Sequence, residues 1–246
     1  MGSKDRGRKL SEFLYLGKIV LKEKGIGYLF KSSIKVFKNE VKYYYFRFFM
    51  PKKSFKFQGN EYRYLYHSYN TTWKNERTVE LPIILGEVEK SKGKRILEVG
   101  HVISHYFDFD HDVVDKYEKA QGIINEDIVD FKSDKKYDLI VSISTIEHIG
   151  YDEEVKDKEK IIRALNNIKK LLNVNGKFIA TFPVGYNNYL DEKLTENKLH
   201  FSKLLFMKRV SIDNKWVEAN YDGVKDVKFG SPFGYANAIV IAYIEN

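Results

Sequence analysis

Short apolar runs alternate with polar, acid-rich turns through the middle of the chain. Runs of strand length fall at Arg95–Val99, Asp112–Asp115, Gly122–Asn125 and Tyr137–Ile143, and again at Lys177–Phe182, Leu204–Ile212 and Ala238–Ile244. The spacing of the first four is that of parallel βαβ units, which place their chemistry at the carboxyl ends of the strands. Two helices are predicted around them. One runs from an N-cap at Thr72 through Glu89, with Val79, Ile83, Ile84 and Val88 toward the sheet, although Pro82 lies inside it. The other spans Asp152–Asn173, with Val155, Ile161, Ile162, Leu165, Ile168, Leu171 and Leu172 as its buried stripe and Asn175-Gly176 closing it. Gly185–Thr195 reads as a loop and Ser54–Gly59 as a short strand.

The first 58 residues have a different pattern. Leu10–Leu21 and Ile26–Met50 read as two amphipathic helices separated by Gly25 and Gly27, and the second ends in the aromatic cluster Tyr43–Met50 before Pro51. This quarter carries 15 Lys and Arg against 4 Asp and Glu, while the whole chain is only +8, so the remainder is mildly acidic. The division expected is a basic, aromatic-rich helical extension over 1–58 and an α/β domain over 59–246. The extension reads as a helical lid, as a peripheral membrane contact through residues 10–50, or, less well, as a nucleic-acid patch. No run reaches the roughly 18 uninterrupted apolar residues of a membrane span. The chain has no Cys, which excludes disulfides and Cys-ligated metals and fits a cytoplasmic protein. Its six His show no HExxH or comparable ligand spacing, so no metal is expected.

The acids at the strand ends carry the chemistry. Glu98-Val99-Gly100 follows the first run, Asp115 ends the second, Asp127-Ile128 follows the third, and Ser144-Thr145-Ile146-Glu147-His148 follows the fourth. This order resembles that of class I S-adenosylmethionine-dependent methyltransferases, from about Lys94 to the C-terminus. Glu98-Val99-Gly100 matches the start of the family pattern E-x-G-x-G-x-G, but Val102 and Ser104 stand where the next two glycines belong. The resemblance implies a Rossmann-like α/β fold. Its mostly parallel sheet would have about seven strands, five parallel ones and then an antiparallel C-terminal hairpin.

It also implies S-adenosyl-L-methionine as cofactor. Glu98, Gly100 and His101 would lie in the turn against it, Asp115 on the ribose, Asp127 and Ile128 at the adenine, and Ser144 and Thr145 near the reacting end. Arg77 would pair with the cofactor's carboxylate, and it reads equally as a solvated charge at a surface helix start. Asp115 reads also as a helix N-cap for Lys116–Lys119, and Asp127 as an ordinary turn acid. His148 is the candidate general base, having the right unperturbed pKa, and Glu147 is the second; His148 reads equally as a capping or packing residue. The acceptor suggested by the aromatic loops is a glycan or lipid-linked saccharide, O-methylated near a membrane. A nucleic-acid methyltransferase and a non-catalytic binding protein on a degenerate fold are the alternatives.

Overall fold

In the computed structural model the described residues are 53–246 apart from 109 and 197, together with Gly27, Ile34, Lys38, Val41, Tyr44, Tyr45 and Phe48. Those seven have helical backbone; otherwise the two helices expected over Leu10–Met50 lie outside the described residues. The chain divides into two compact units, Met1–Met50 and Pro51–Asn246. The second therefore takes in the first strand, which the sequence assigned to the extension.

That strand, β1 (Ser54–Phe57), forms an antiparallel hairpin with β2 (Asn60–Arg63). Gln58 and Gly59 both have positive φ, 48° and 75°, as a two-residue turn between right-twisted strands demands. Phe55 and Phe57 are buried against the main body.

The main sheet has eight strands rather than about seven, in the order β5-β4-β3-β6-β7-β10-β8-β9. β3 (Ile96–Val99), β4 (Asp112–Val114), β5 (Ile123–Ile124), β6 (Tyr137–Ile143) and β7 (Leu172–Pro183) are mutually parallel. β10 (Ala238–Glu245) inserts antiparallel between β7 and β8 (Lys203–Arg209), and β9 (Trp216–Ala219) adds an edge. Five parallel strands followed by an antiparallel pair is the layout that the methyltransferase resemblance implies. The order reverses beside β3, so the crevice at its carboxyl end is the switch point where such sheets bind ligands.

The central strands read as unbroken apolar runs because both faces of the sheet are covered. One core contains Leu97, Val114, Ile140 and Phe178 with Ile161, Leu165 and Ile168. The opposite core contains Leu139, Val141, Ile143, Ile179 and Ile241 with Val79, Ile83, Ile84 and Val88.

Helix α1 (Arg77–Lys90) begins later than expected. Tyr69–Lys74 form a separate 3-10 turn, and the chain extends at Asn75, whose Oδ1 accepts from Arg77 N at 3.1 Å. Thr72 is not the cap: its Oγ1 accepts from His67 N at 2.7 Å and donates to Leu65 O at 2.9 Å. Pro82 sits within α1 at low cost. Having no N–H, it cannot bond the Thr78 carbonyl, and Leu65 N donates to that carbonyl instead at 3.0 Å.

Helix α2 covers only Lys160–Leu171 of the expected Asp152–Asn173. Gly150 takes φ +71°, and Asp157 N donates back to Gly150 O at 2.9 Å, closing a loop ahead of the helix. Val155, expected on the buried stripe, is 82% exposed in that loop. Asn175-Gly176 lie within β7 and do not end the helix. The expected loop Gly185–Thr195 contains helix α3 (Asn188–Thr195), whose N-cap Asn187 accepts from Tyr189 N and Leu190 N, both at 3.1 Å.

Among the described residues, no helix is long and apolar enough to cross a membrane.

Candidate functional site

A cavity of about 520 Å³ opens at the carboxyl ends of the parallel strands. Val99, Val114, Ile128 and Ile149 give it apolar walls, and Asp115, Glu126, Asp127 and Glu153 bring carboxylates to it. Of the residues singled out from sequence, Gly100, Asp115, Asp127, Ile128, Thr145 and His148 line it; Arg77, Glu98, His101, Ser144 and Glu147 do not.

The turn after β3 is held by acids where the family pattern uses glycines. Glu98 is fully buried. Its Oε1 accepts from Val102 N at 2.8 Å and Ile103 N at 2.7 Å, and its Oε2 lies 2.7 Å from His111 Nε2. Val102 thus starts a short 3-10 turn, Ile103–His105, that stays clear of the cavity. Gly100 is the position where glycine is required. Its φ is +88°, and a Cβ there would fall into the Thr145 side chain, 2.6 Å from Cγ2.

Asp115 ties three turn amides together. Oδ2 accepts from His101 N at 3.0 Å, and Oδ1 from Tyr117 N and Glu118 N, both at 2.8 Å. No helix follows it over 116–119, so its caps serve an irregular turn. Asp127 lies 2.6 Å from Lys160 Nζ and 3.0 Å from Lys116 Nζ, and the same two lysines reach Glu153 at 2.6 and 2.5 Å. Burial pushes the Asp127 carboxyl up, but Lys160, the Val129 amide and Lys116 outweigh it and hold the group below its ordinary range.

Arg77 and its neighbours form a separate buried cluster behind the strand ends. Arg77 Nη1 is 2.6 Å from Glu80 Oε2, and Ser144 Oγ donates to Glu80 Oε1 at 2.7 Å. Arg77 is therefore already matched by a carboxylate of the chain itself. Ser144 sits at φ 37°, in the left-handed region, with its N–H on Thr181 O at 2.7 Å. Glu147 is 1% exposed, and its Oε2 has no hydrogen-bond partner. Burial, aided by the Glu80 charge, pushes its carboxyl well above the usual range, so the neutral acid is the favoured form.

His148 stands at the cavity's mouth in a different setting. Its Nδ1 lies 2.5 Å from Asp152 Oδ2, and Tyr186 OH donates to the same oxygen at 2.7 Å. Burial raises the Asp152 carboxyl, but the hydrogen bonds from His148 and Tyr186 lower it further. An ionised carboxylate on Nδ1 fixes the proton there and leaves Nε2 as the basic atom. Tyr186 packs edge-on to the His148 ring at 5.0 Å between centroids and edge-on to Phe229 at 5.0 Å. Sequence reading missed Asp152 and the lysines of the Asp127 cluster, and it gave Tyr186 only as part of an aromatic loop suited to stacking on a sugar. For Asp152 the signal existed, four residues beyond His148.

The loop carrying Tyr186 contains a pH-sensitive tether. Asp191 Oδ2 accepts from Gly185 N at 3.0 Å, and burial pushes its carboxyl to about 6. A carboxyl raised in the folded state contributes its stability in the protonated form, below the unfolded value near 3.8, and loses it as pH rises through about 6. Asp191→Asn keeps an acceptor but no charge. It is expected to raise the melting temperature at pH 8 and leave it nearly unchanged at pH 4. Thermal melts at the two pH values check this, and an equal shift at both would contradict it.

No family model matches the sequence, and no curated protein matches it significantly. Solved structures of similar fold include a SAM-dependent methyltransferase from Archaeoglobus fulgidus, 14% identical, over 72% of this chain and 98% of that one, at a TM-score of 0.43. The N-methyltransferase NodS from Bradyrhizobium japonicum WM9, in complex with S-adenosyl-L-homocysteine, is 14% identical over 67% and 84%, with a TM-score of 0.42. The 1,6-didemethyltoxoflavin-N1-methyltransferase of Burkholderia thailandensis is 12% identical over 66% and 75%, also at 0.42.

Proposed function

We propose that the chain is an S-adenosylmethionine-dependent methyltransferase. The observation that supports this most is the cavity at the sheet's switch point, with Asp115 and Asp127 at successive strand ends and Gly100 packed closely on Thr145 at its edge. Its volume suits a small-molecule cofactor. Ile128 and Val114 offer apolar surface for a flat base. Asp115 carries three amide donors, and a carboxylate has about four acceptor sites, so one remains for a ribose hydroxyl. The cofactor supplies an electrophilic methyl group on sulfur. His148 Nε2 accepts the proton of an acceptor hydroxyl at the cavity mouth, and Asp152 stabilises the imidazolium that results.

The acceptor we propose is a hydroxyl of a glycan or lipid-linked saccharide. Tyr151, Tyr186 and Phe229, clustered beside His148, give faces on which a sugar ring can stack. The basic, aromatic first 58 residues support action at an anionic membrane surface.

One observation favours a second reading, a binding module without catalysis. The amides of Val102 and Ile103, in the turn where the family pattern has its glycines, are both taken by Glu98 and so are not offered to a ligand. Calorimetric titration of the full chain with S-adenosylhomocysteine separates the two. Saturable binding of one equivalent is the expected result; no heat up to millimolar ligand would overturn the cofactor reading.

A further inference from the structure

The turns that follow β3 and β4 bring together two imidazoles and a carboxylate that methyl transfer does not use. His101 Nδ1 lies 3.0 Å, and His105 Nε2 3.4 Å, from one oxygen of Glu118. The three ligand atoms all lie within 4.8 Å of one another. His101 Nδ1 is buried and makes no hydrogen bond. Its 3.0 Å approach to Glu118 thus lacks the direction of a hydrogen bond, which leaves a buried imidazole nitrogen with an unsatisfied polar position beside a carboxylate and a second imidazole.

The spacing suits a small cation. A zinc-class ion holds imidazole nitrogen at about 2.0–2.1 Å and carboxylate oxygen at about 2.0–2.2 Å, so tetrahedral ligand atoms stand about 3.3–3.5 Å apart. The two contacts to Glu118, 3.0 and 3.4 Å, are within a few tenths of an ångström of that spacing, and the two imidazole nitrogens lie within 4.8 Å of each other.

The ligands are also held in place before any ion arrives. Glu98 pins the amides of Val102 and Ile103, between the two histidines. Asp115 pins the amides of His101 and Glu118. The Tyr69 ring stacks on His105, 4.4 Å between centroids and 15° from parallel. His101 and His105 are mostly buried while Glu118 is 40% exposed, which leaves a route in from solvent.

We infer that His101, His105 and Glu118 form a binding site for a divalent transition-metal ion of the zinc class. Two imidazoles and one carboxylate leave at least one coordination position open, the arrangement of a site that takes an exogenous ligand. Glu118 also lines the main cavity, so the ion would cross-link the two turns that frame it.

The site goes beyond the methyl-transfer reading and is tested without the cofactor. Tag-free full-length protein is stripped with chelator and titrated with zinc against a chromogenic chelator, and separately with cobalt(II) while visible absorption is followed. One equivalent of zinc should bind with a Kd on the order of a micromolar or tighter, and cobalt should develop visible bands. His105→Ala and Glu118→Gln should each weaken zinc at least tenfold and abolish the cobalt bands, as an order-of-magnitude expectation for loss of one ligand in three. His200→Ala, far along the sequence, should bind as the parent does. Glu118→Gln is nearly isosteric and partly exposed, so it keeps the test valid should His105→Ala fail to fold. Absence of stoichiometric zinc binding, or binding that survives Glu118→Gln undiminished, would overturn the site.

Discussion

His148→Ala is expected to lower turnover by roughly 10²–10⁴ while sparing affinity for S-adenosylhomocysteine, the range found when a positioned general base is removed. The setting of the ring makes the loss specific. Asp152 holds Nδ1, Tyr186 holds Asp152, and Nε2, 3.7 Å from Glu147 Oε1, is the nitrogen left to accept a proton. Glu147→Gln provides the contrast. Its carboxyl is buried and favoured in the neutral form, which an amide mimics in shape, so turnover should stay within a few fold. Single-turnover rates and calorimetry on the two variants, with a methyl acceptor once one is found, give the comparison. Near-normal turnover in His148→Ala would reduce that residue to packing, while a large loss in Glu147→Gln would move the base to the buried acid.

The sheet was legible because its strands are buried on both faces, which leaves apolar runs too short for helices and too continuous for loops. Where the reading failed, the cause was local. Val155 fell at helical spacing with the true stripe of α2 but is exposed, because Gly150 and Asp157 close a loop that hydrophobic spacing does not register. Helix α3 was missed because only Leu190 and Leu194 of its eight residues are buried, too few to mark a period. Asn187, its cap, was the available sign.

The acids of the site were legible one by one at the strand ends, but their partners were not. Arg77 and Glu80 are an i,i+3 pair on α1 that helical spacing could have shown, but Lys116 and Lys160, 44 residues apart, meet at Asp127. Pairings of that kind are set by tertiary packing. The histidine pair at 101 and 105 has the H-x3-H spacing of metal ligands, which the sequence reading passed over, and its third partner, Glu118, comes from the turn after another strand.

Gly100→Ala should cost the chain both stability and ligand binding, and the two causes of that loss can be separated. The first is backbone: φ is +88°, where a non-glycine residue costs about 1–2 kcal/mol. The second is contact. The new Cβ would fall 2.6 Å from Thr145 Cγ2 and 2.9 Å from Thr145 Cβ, which forces the ends of β3 and β6 apart at a further cost of about 1–3 kcal/mol. Thr145→Ala removes the nearest atoms and leaves only the 2.9 Å approach. The double variant should therefore recover part of the contact cost and none of the backbone cost, giving a favourable coupling of about 0.5–2 kcal/mol in urea unfolding. Both residues line the cavity, so affinity for S-adenosylhomocysteine should fall in Gly100→Ala and return in part in the double variant. Strict additivity would show that the turn relaxes away from Thr145 and that Gly100 is needed for its φ alone. An undiminished affinity in Gly100→Ala would show that the cofactor does not lie against this turn.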